Sequence, residues 1–283
     1  MKIFKKDKAK SHSRFERKSE PEEFMPRKKK SLGQHFLRKQ SVIDHMIDKV
    51  VVAPETSVLE IGCGDGFLTQ GILSQTRCKA LVCYEIDRDW ADYVRQRIRD
   101  PRLTIKLKNI LEVHFAEELA TDRPWVLLAN LPYQITFPIV FLIQQNKALF
   151  QEGVVMVQEE VAQKIVAKRG KGYSPTSIFL QYHFVWELLE KIEPGAFSPP
   201  PKVYSRLLYF KPRFDAPEIP EADDFWKFLK LCFGSPRQTL RNNLKTSHYS
   251  TNIAFSTDLL NLRAQQLSFA DFLVIWKEII SQR

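Results

Sequence analysis

The chain is poor in the residues that build special scaffolds. It has 4 cysteines and 10 glycines in 283 residues, which excludes a disulfide-stapled domain and a collagen-like repeat. Cys63, Cys78, Cys83 and Cys232 show no metal-ligand spacing, and Cys78 and Cys83 do not form a CxxC pair. Free thiols in a reducing compartment are the expectation. The six histidines, at 12, 35, 45, 114, 183 and 248, form no ligand cluster, so no metal site is expected. Long apolar runs are absent: stretches such as FPIVFLI (137–143) fall far short of the roughly 20 residues that cross a bilayer. The N-terminal MKIFKKDKAK lacks the apolar segment of a secretory signal. Together these absences point to a cytoplasmic protein without membrane contact.

Negative charge is also in short supply, with 33 Asp and Glu against 43 Lys and Arg and a net charge of +10. The excess is unevenly placed. Residues 1–30 hold twelve basic and five acidic residues, whereas residues 31–212 and 213–283 are each nearly balanced. The first 30 residues, with Pro21, Pro26 and no apolar periodicity, read as a disordered basic tail, and order should begin near Ser31. Such a tail suits a polyanionic partner, because cations near phosphates release counterions. A tail that only aids solubility is the other reading.

What the chain has in quantity is hydrophobic residues, 44%, and aromatics, 12%, enough for a sizeable core. They are arranged in alternation. SVLEI (57–61), KALVCYE (79–85), RLTIKLK (102–108), WVLLAN (125–130) and VVMVQ (154–158) read as strands. Helical patterns fall between them, as in GFLTQGILSQ (66–75), DRDWADYVRQRI (87–98) and TFPIVFLIQQNKAL (136–149). This predicts an α/β protein with a mainly parallel sheet covered on both faces. Two further runs, 179–189 and 205–210, read as an antiparallel hairpin closing the sheet. After residue 212 the texture changes to short helices, which predicts a small all-helical domain over 213–283 behind a larger domain over 31–212.

Two turns carry the chemistry. The first strand ends in Glu60-Ile-Gly62-Cys-Gly64-Asp-Gly66 before a helix. Glycines there allow a tight turn and close approach of backbone to ligand. The spacing is GxGxG, unlike the GxGxxG that clasps a dinucleotide, which disfavours a nicotinamide dehydrogenase. The next strand ends in Glu85, where a carboxylate can accept both hydroxyls of a ribose. A purely structural turn, and a Glu85 that only caps a helix, are the bland alternatives. The second turn is Asn130-Leu131-Pro132-Tyr133, at the end of the fourth strand. Pro132 restricts Leu131 to an extended geometry. The Asn130 amide oxygen and the Leu131 carbonyl can then face a substrate –NH2, and Tyr133 offers a flat face for a base. An ordinary turn with a packed tyrosine is the alternative here.

These motifs occur in a telling order. Gly33-Gln34-His35-Phe36-Leu37, Glu60-x-Gly62-x-Gly64, Glu85, Asn130-Leu-Pro-Tyr133, Phe197-Ser-Pro-Pro-Pro-Lys-Val203 and Arg237-Gln-Thr-Leu-Arg-Asn-Asn-Leu244 follow one another along about nine-tenths of the chain. The chain thereby resembles the rRNA adenine N6,N6-dimethyltransferases. The triple proline and RQTLRNNL are more similar to the small-subunit enzymes than to the macrolide-resistance relatives that modify large-subunit rRNA. The resemblance implies a Rossmann-like S-adenosylmethionine-dependent methyltransferase sheet with a helical C-terminal domain. It implies S-adenosylmethionine as cofactor, lined by His35 and Leu37, with Gly62 against its methionine part and Glu85 on its ribose. Asn109 stands where the family usually has an acid that reads the cofactor's adenine; capping a turn is the other role open to it. Asn130, Leu131, Pro132 and Tyr133 would hold the target adenine, with Phe197 near its other face unless Phe197 is merely core. The implied partner is small-subunit rRNA, two adjacent adenosines in a hairpin near its 3′ end, within a pre-ribosomal 30S particle, and the implied state is a monomer. Arg237, Arg241 and Lys245 on one helix face, and the KRGKGY loop (168–173), are candidate phosphate contacts. A non-catalytic assembly factor on the same fold is the remaining alternative, opposed by the intact glycine loop, Glu85 and NLPY.

Overall fold

The structure is a computed structural model describing residues 25–29, 33–121, 124–245, 247, 249 and 257–282. Strand β1 (Phe36–Leu37) and helix α1 (Gln40–Asp48) lead into β2 (Ser57–Ile61), α2 (Phe67–Gln75), β3 (Ala80–Glu85), α3 (Arg88–Arg97) and β4 (Leu103–Leu107). The short α4 (Phe115–Glu118), β5 (Trp125–Asn130), α5 (Thr136–Gln145), β6 (Phe150–Gln158) and α6 (Glu159–Val166) continue the alternation. Next come α7 (Pro175–His183), β7 (Phe184–Ile192), β8 (Phe197–Ser198) and β9 (Ser205–Pro212). Helices α8 (Ala222–Cys232), α9 (Leu240–Leu244), α10 (Thr257–Asn261) and α11 (Phe269–Ser281) complete the described chain.

Seven strands form one sheet in the order β4-β3-β2-β5-β6-β9-β7. Strands β2 to β6 pair in parallel, and β9 runs antiparallel to both β6 and β7. The central parallel strands β2 and β5 are mostly apolar and almost entirely buried because both faces are covered, whereas edge strand β4 carries Thr104 and Lys106. Leu59, Ile61, Leu127 and Ala129 pack on one side, while Val58, Val126 and Leu128 pack on the other against α1 and α2. The strand order reverses between β2 and β5. In such sheets the crevice at the carboxyl ends of those two strands is where ligands bind. It is here that the glycine loop and the NLPY turn emerge.

Three sequence expectations change. The run 179–189 is not one strand: its first part belongs to α7, whose start is set by Ser174, Pro175 at the first turn and a reciprocal Ser174–Ser177 cap. Such a cap and proline outweigh the strand preference of the aromatic residues that follow. RQTLRNNL is helical only from Leu240, because Thr239 bridges Arg263 and Leu240 N–H donates to the Leu262 carbonyl at 2.8 Å. Arg237 therefore lies in a turn, off the helix face expected to carry it with Arg241 and Lys245. The basic tail expected over 1–30 also ends earlier. Lys28 Nζ donates to the Ser198 carbonyl at 2.8 Å, and Lys29 Nζ to Asp87 at 2.6 Å, so both cations are engaged with the body. Residues 1–24 and 30 lie outside the described residues.

The helices after β9 share one core around Phe225, Phe228, Phe272 and Trp276, to which Tyr173 and Ile178 also contribute. The KRGKGY loop is drawn toward it: Gly170 N–H donates to the Gln265 carbonyl at 2.8 Å. Among the described residues no helix is long and apolar enough to cross a membrane.

Candidate active site

The glycine loop leaves β2 and opens α2. Gly64 has φ of +52°, and a Cβ there would meet the Phe36 ring at 2.7 Å, so both backbone and space demand glycine. Its N–H donates to Glu85 Oε2 at 3.1 Å, and Asp87 N–H donates to Glu85 Oε1 at 2.9 Å. Glu85 thus closes the end of β3 over the loop, with Gly62 facing the same carboxylate. Burial raises the Glu85 pKa above that of an ordinary carboxylate, and the two backbone N–H bonds oppose the rise.

Glu60, in β2 beneath the loop, is fully buried. Thr69 Oγ1 donates to its Oε2 at 2.7 Å, while Oε1 has no partner among the described residues. Burial pushes its pKa up to about 8, helped by the nearby charges of Glu85 and Asp65. Because the folded pKa lies above the ordinary 4.5, the native state holds the extra proton between the two values. Its contribution to stability therefore falls as pH rises through that window, by at most about 1.4 kcal/mol per pH unit. Glu60→Gln should remove this dependence. In urea unfolding at several pH values, the variant should gain on the native protein as pH rises from 4.5 to about 8 and the difference should level off above that; parallel curves would contradict the assignment.

The second turn is built by long-range contacts. Asn130 Nδ2 donates to the His35 carbonyl at 3.1 Å. A carbonyl can only accept, so the amide nitrogen must face His35 and Oδ1 must face away. Neither Asn130 Oδ1 nor the Leu131 carbonyl has a hydrogen-bond partner among the described residues, while Leu131 N–H is held by the Met156 carbonyl at 3.1 Å. Two acceptors stand ready at the edge of β5. His35 Nδ1 donates to the Pro199 carbonyl at 2.8 Å, and its ring stacks on Tyr133 with centroids 5.9 Å apart and planes at 22°. Tyr133 Oη shares a hydrogen bond with the buried Ser205 Oγ at 2.5 Å.

One pocket collects His35, Leu37, Gly62, Glu85, Asn109, Asn130, Leu131, Pro132 and Tyr133. Phe197 is the exception. It is buried in the core beneath β1, where its backbone pairs with Leu37, and it does not line the pocket. It packs there with Leu37 and Met46, both of which also line the pocket. Asn109 lines the pocket with its oxygen already engaged: Oδ1 accepts from Leu111 N–H at 3.1 Å and Nδ2 donates to Glu112 at 3.0 Å. It caps the turn, and its oxygen keeps a second lone pair at the pocket wall.

The sequence did not single out several further groups. Gln34 receives Lys29 N–H at 2.7 Å and Trp90 Nε1–H at 3.3 Å and donates to Asp87 at 3.1 Å, tying the 33–37 segment to α3. Burial opposes ionisation of Asp87, but hydrogen bonds from Lys29 and Gln34 hold its pKa below the usual value. Arg38 pairs with Asp65 of the glycine loop. Tyr84 and Lys108 line the pocket and share Glu118, at 2.8 and 2.7 Å. Only GQHFL and the acid inside the glycine loop gave any sequence signal for this shell.

A parallel sheet with a glycine loop and an acid-tipped neighbouring strand at the point of strand reversal defines a Rossmann-like methyltransferase. Solved structures agree on the fold. A dimethyladenosine transferase from Plasmodium falciparum superposes with TM-score 0.74 at 24% identity, covering 88% of this chain and 98% of that one. The 23S rRNA methyltransferase ErmE gives 0.69 at 21%, covering 87% and 99%. The family described as ribosomal RNA adenine dimethylase matches residues 25–281. The chain is 37% identical to a ribosomal RNA small subunit methyltransferase A of Geobacter metallireducens, over 78% of this chain and 82% of that one. It is 34% identical to the protein of the same name from Pseudomonas syringae pv. tomato, over 89% and 94%. The chain belongs to the ribosomal RNA adenine dimethylase family.

Proposed function

We propose that this protein transfers methyl groups from S-adenosylmethionine to N6 of two adjacent adenosines, in a hairpin loop near the 3′ end of small-subunit rRNA. The observation that carries the reading is the Asn130 amide, turned by the His35 carbonyl so that its oxygen stands beside the Leu131 carbonyl, neither with a partner among the described residues. Methyltransferases of this family use S-adenosylmethionine, and the residues present fit that group. Glu85 offers a buried carboxylate for the ribose hydroxyls, and the Gly62–Gly64 turn leaves room for backbone contact. When bound, the cofactor supplies an electrophilic methyl group.

The chain's own part is orientation. An adenine amino group is a poor nucleophile, since its lone pair delocalises into the ring. Acceptors at Asn130 and Leu131 hold its two hydrogens, favour a pyramidal nitrogen and stabilise the positive charge that develops there. The base must leave its stack to reach the crevice. Tyr133, backed by His35 on one side, offers its other face for stacking. Tyr133→Ala should weaken RNA capture by about 1–3 kcal/mol. Tyr133→Phe keeps the ring and should leave KM for RNA near that of the native protein. Loss of the hydrogen bond to buried Ser205 should instead cost roughly 1 kcal/mol and lower Tm by about 2–4 °C. A large rise in KM for the Phe variant would show the hydroxyl to be a substrate contact.

The natural substrate in this reading is a pre-ribosomal 30S particle, met in the cytoplasm; four unpaired cysteines suit that reducing setting. The protein is read as a monomer. The decisive experiment supplies labelled cofactor to immature small subunits and to large-subunit rRNA. Mass spectrometry of the digested RNA should find dimethyladenosine only in the small-subunit arm. Label in large-subunit RNA alone, or in neither, would overturn the reading.

A further inference from the structure

The residues leading into β9 form a fixed rim beside the NLPY turn. Ser205, the first residue of β9, is bonded to Tyr133 and lies opposite Gln158, at the carboxyl end of β6, and Ile192, at the end of β7. Tyr204 therefore stands at the same sheet edge as the acceptor pair. Its carbonyl accepts from Glu159 N–H at 2.9 Å, and the Glu159 carboxylate grips Arg206 through two bonds of 2.6 and 2.8 Å. Upstream, three consecutive prolines stiffen the chain, and Pro199 is tied to His35.

On this fixed backbone Tyr204 is nonetheless 49% exposed. Lys191 Nζ lies 4.3 Å from its ring centroid, which backs one side of the ring with positive charge. Lys191 and the exposed Lys202 have no carboxylate within ion-pair distance among the described residues, whereas nearby Arg206 is paired with Glu159. A half-exposed aromatic ring on a fixed backbone, with one unpaired lysine over its face and another two residues away in sequence, suits one chemistry well: an unpaired nucleotide, with its base on the ring and its phosphate at the lysines. Continuity with the target pocket says which nucleotide. When two adjacent adenosines are modified in turn, the one outside the pocket must be held nearby.

We propose that Tyr204, backed by Lys191 and flanked by Lys202, is the stacking platform for the unpaired base next to the target adenosine on the same RNA strand. This rests on the rRNA reading above, and the test separates the two. The native protein, Tyr204→Ala, Tyr204→Trp and the double variant Lys191→Ala/Lys202→Ala are compared in methyl transfer to immature small subunits, in anisotropy titration of a single-stranded oligoribonucleotide bearing two adjacent adenosines, and in S-adenosylmethionine titration. Tyr204→Ala should raise the oligonucleotide Kd and the KM for subunits about 5- to 100-fold, with cofactor affinity retained, and Tyr204→Trp should restore both. The double lysine variant should flatten the salt dependence of RNA binding by about 0.7 per lost contact. If the native protein methylates subunits and Tyr204→Ala matches it, the platform is refuted while the rRNA reading stands. Loss of cofactor binding in Tyr204→Ala without rescue by Trp would mark a structural role and also refute it. If the native protein leaves the subunits unmodified, both fall together.

Discussion

Asn130→Ala should lower single-turnover methyl transfer to immature small subunits by about 10²–10³ while S-adenosylmethionine affinity changes by no more than a few-fold. The side chain ends β5 with its nitrogen committed to the His35 carbonyl, so in the proposed reading the substitution removes the side-chain acceptor that would meet the target amine. That acceptor strengthens as the nitrogen becomes tetrahedral and positive, and its loss therefore falls on the rate. Asn130→Asp is the informative companion. A carboxylate has no N–H to offer His35, so the orientation is lost although an acceptor remains. The assay must resolve monomethyl- from dimethyladenosine. If Asn130→Ala retains near-normal rates for both methyl groups, the NLPY turn does not orient the amine.

Glu85→Ala should weaken cofactor binding by about 10- to 150-fold, the equivalent of roughly 1.5–3 kcal/mol for charge-assisted hydrogen bonds. The carboxylate has two duties. In the proposed reading it holds the ribose, and it also receives Gly64 N–H and Asp87 N–H, so it shapes the loop that the cofactor's methionine part would meet. Glu85→Gln separates these duties in part, since an amide keeps one accepting oxygen and loses the charge. It should fall between the native protein and Ala. Calorimetric titration with S-adenosylmethionine and with S-adenosylhomocysteine measures the loss, and NAD should give no heat with any of the proteins. Unchanged affinity in Glu85→Ala would remove Glu85 from the cofactor site.

The sequence by itself determined the parallel sheet, the glycine loop, Glu85 at the neighbouring strand end and the NLPY turn. Each of these is local. Apolar strands covered on both faces, glycines at a tight turn and a proline after Leu131 impose their geometry through nearest neighbours, so they are legible in order along the chain. The direction in which side chains point was not legible, because distant partners set it. Asn130 is turned by a carbonyl 95 residues away, and His35 is fixed by one 164 residues away. Phe197 sits in a motif shared with functional residues, yet pairing of β8 with β1 sends it into the core. Asn109 could serve a ligand or a turn, and only the fold shows its oxygen accepting from Leu111 N–H at the pocket wall. Tyr204 looked like any residue before a strand until β6, β7 and β9 brought Lys191 beneath it at the edge that holds Asn130. Local turn chemistry placed the groups at one edge of the sheet; only hydrogen-bond partners and strand pairing across the fold decided which of them face the crevice.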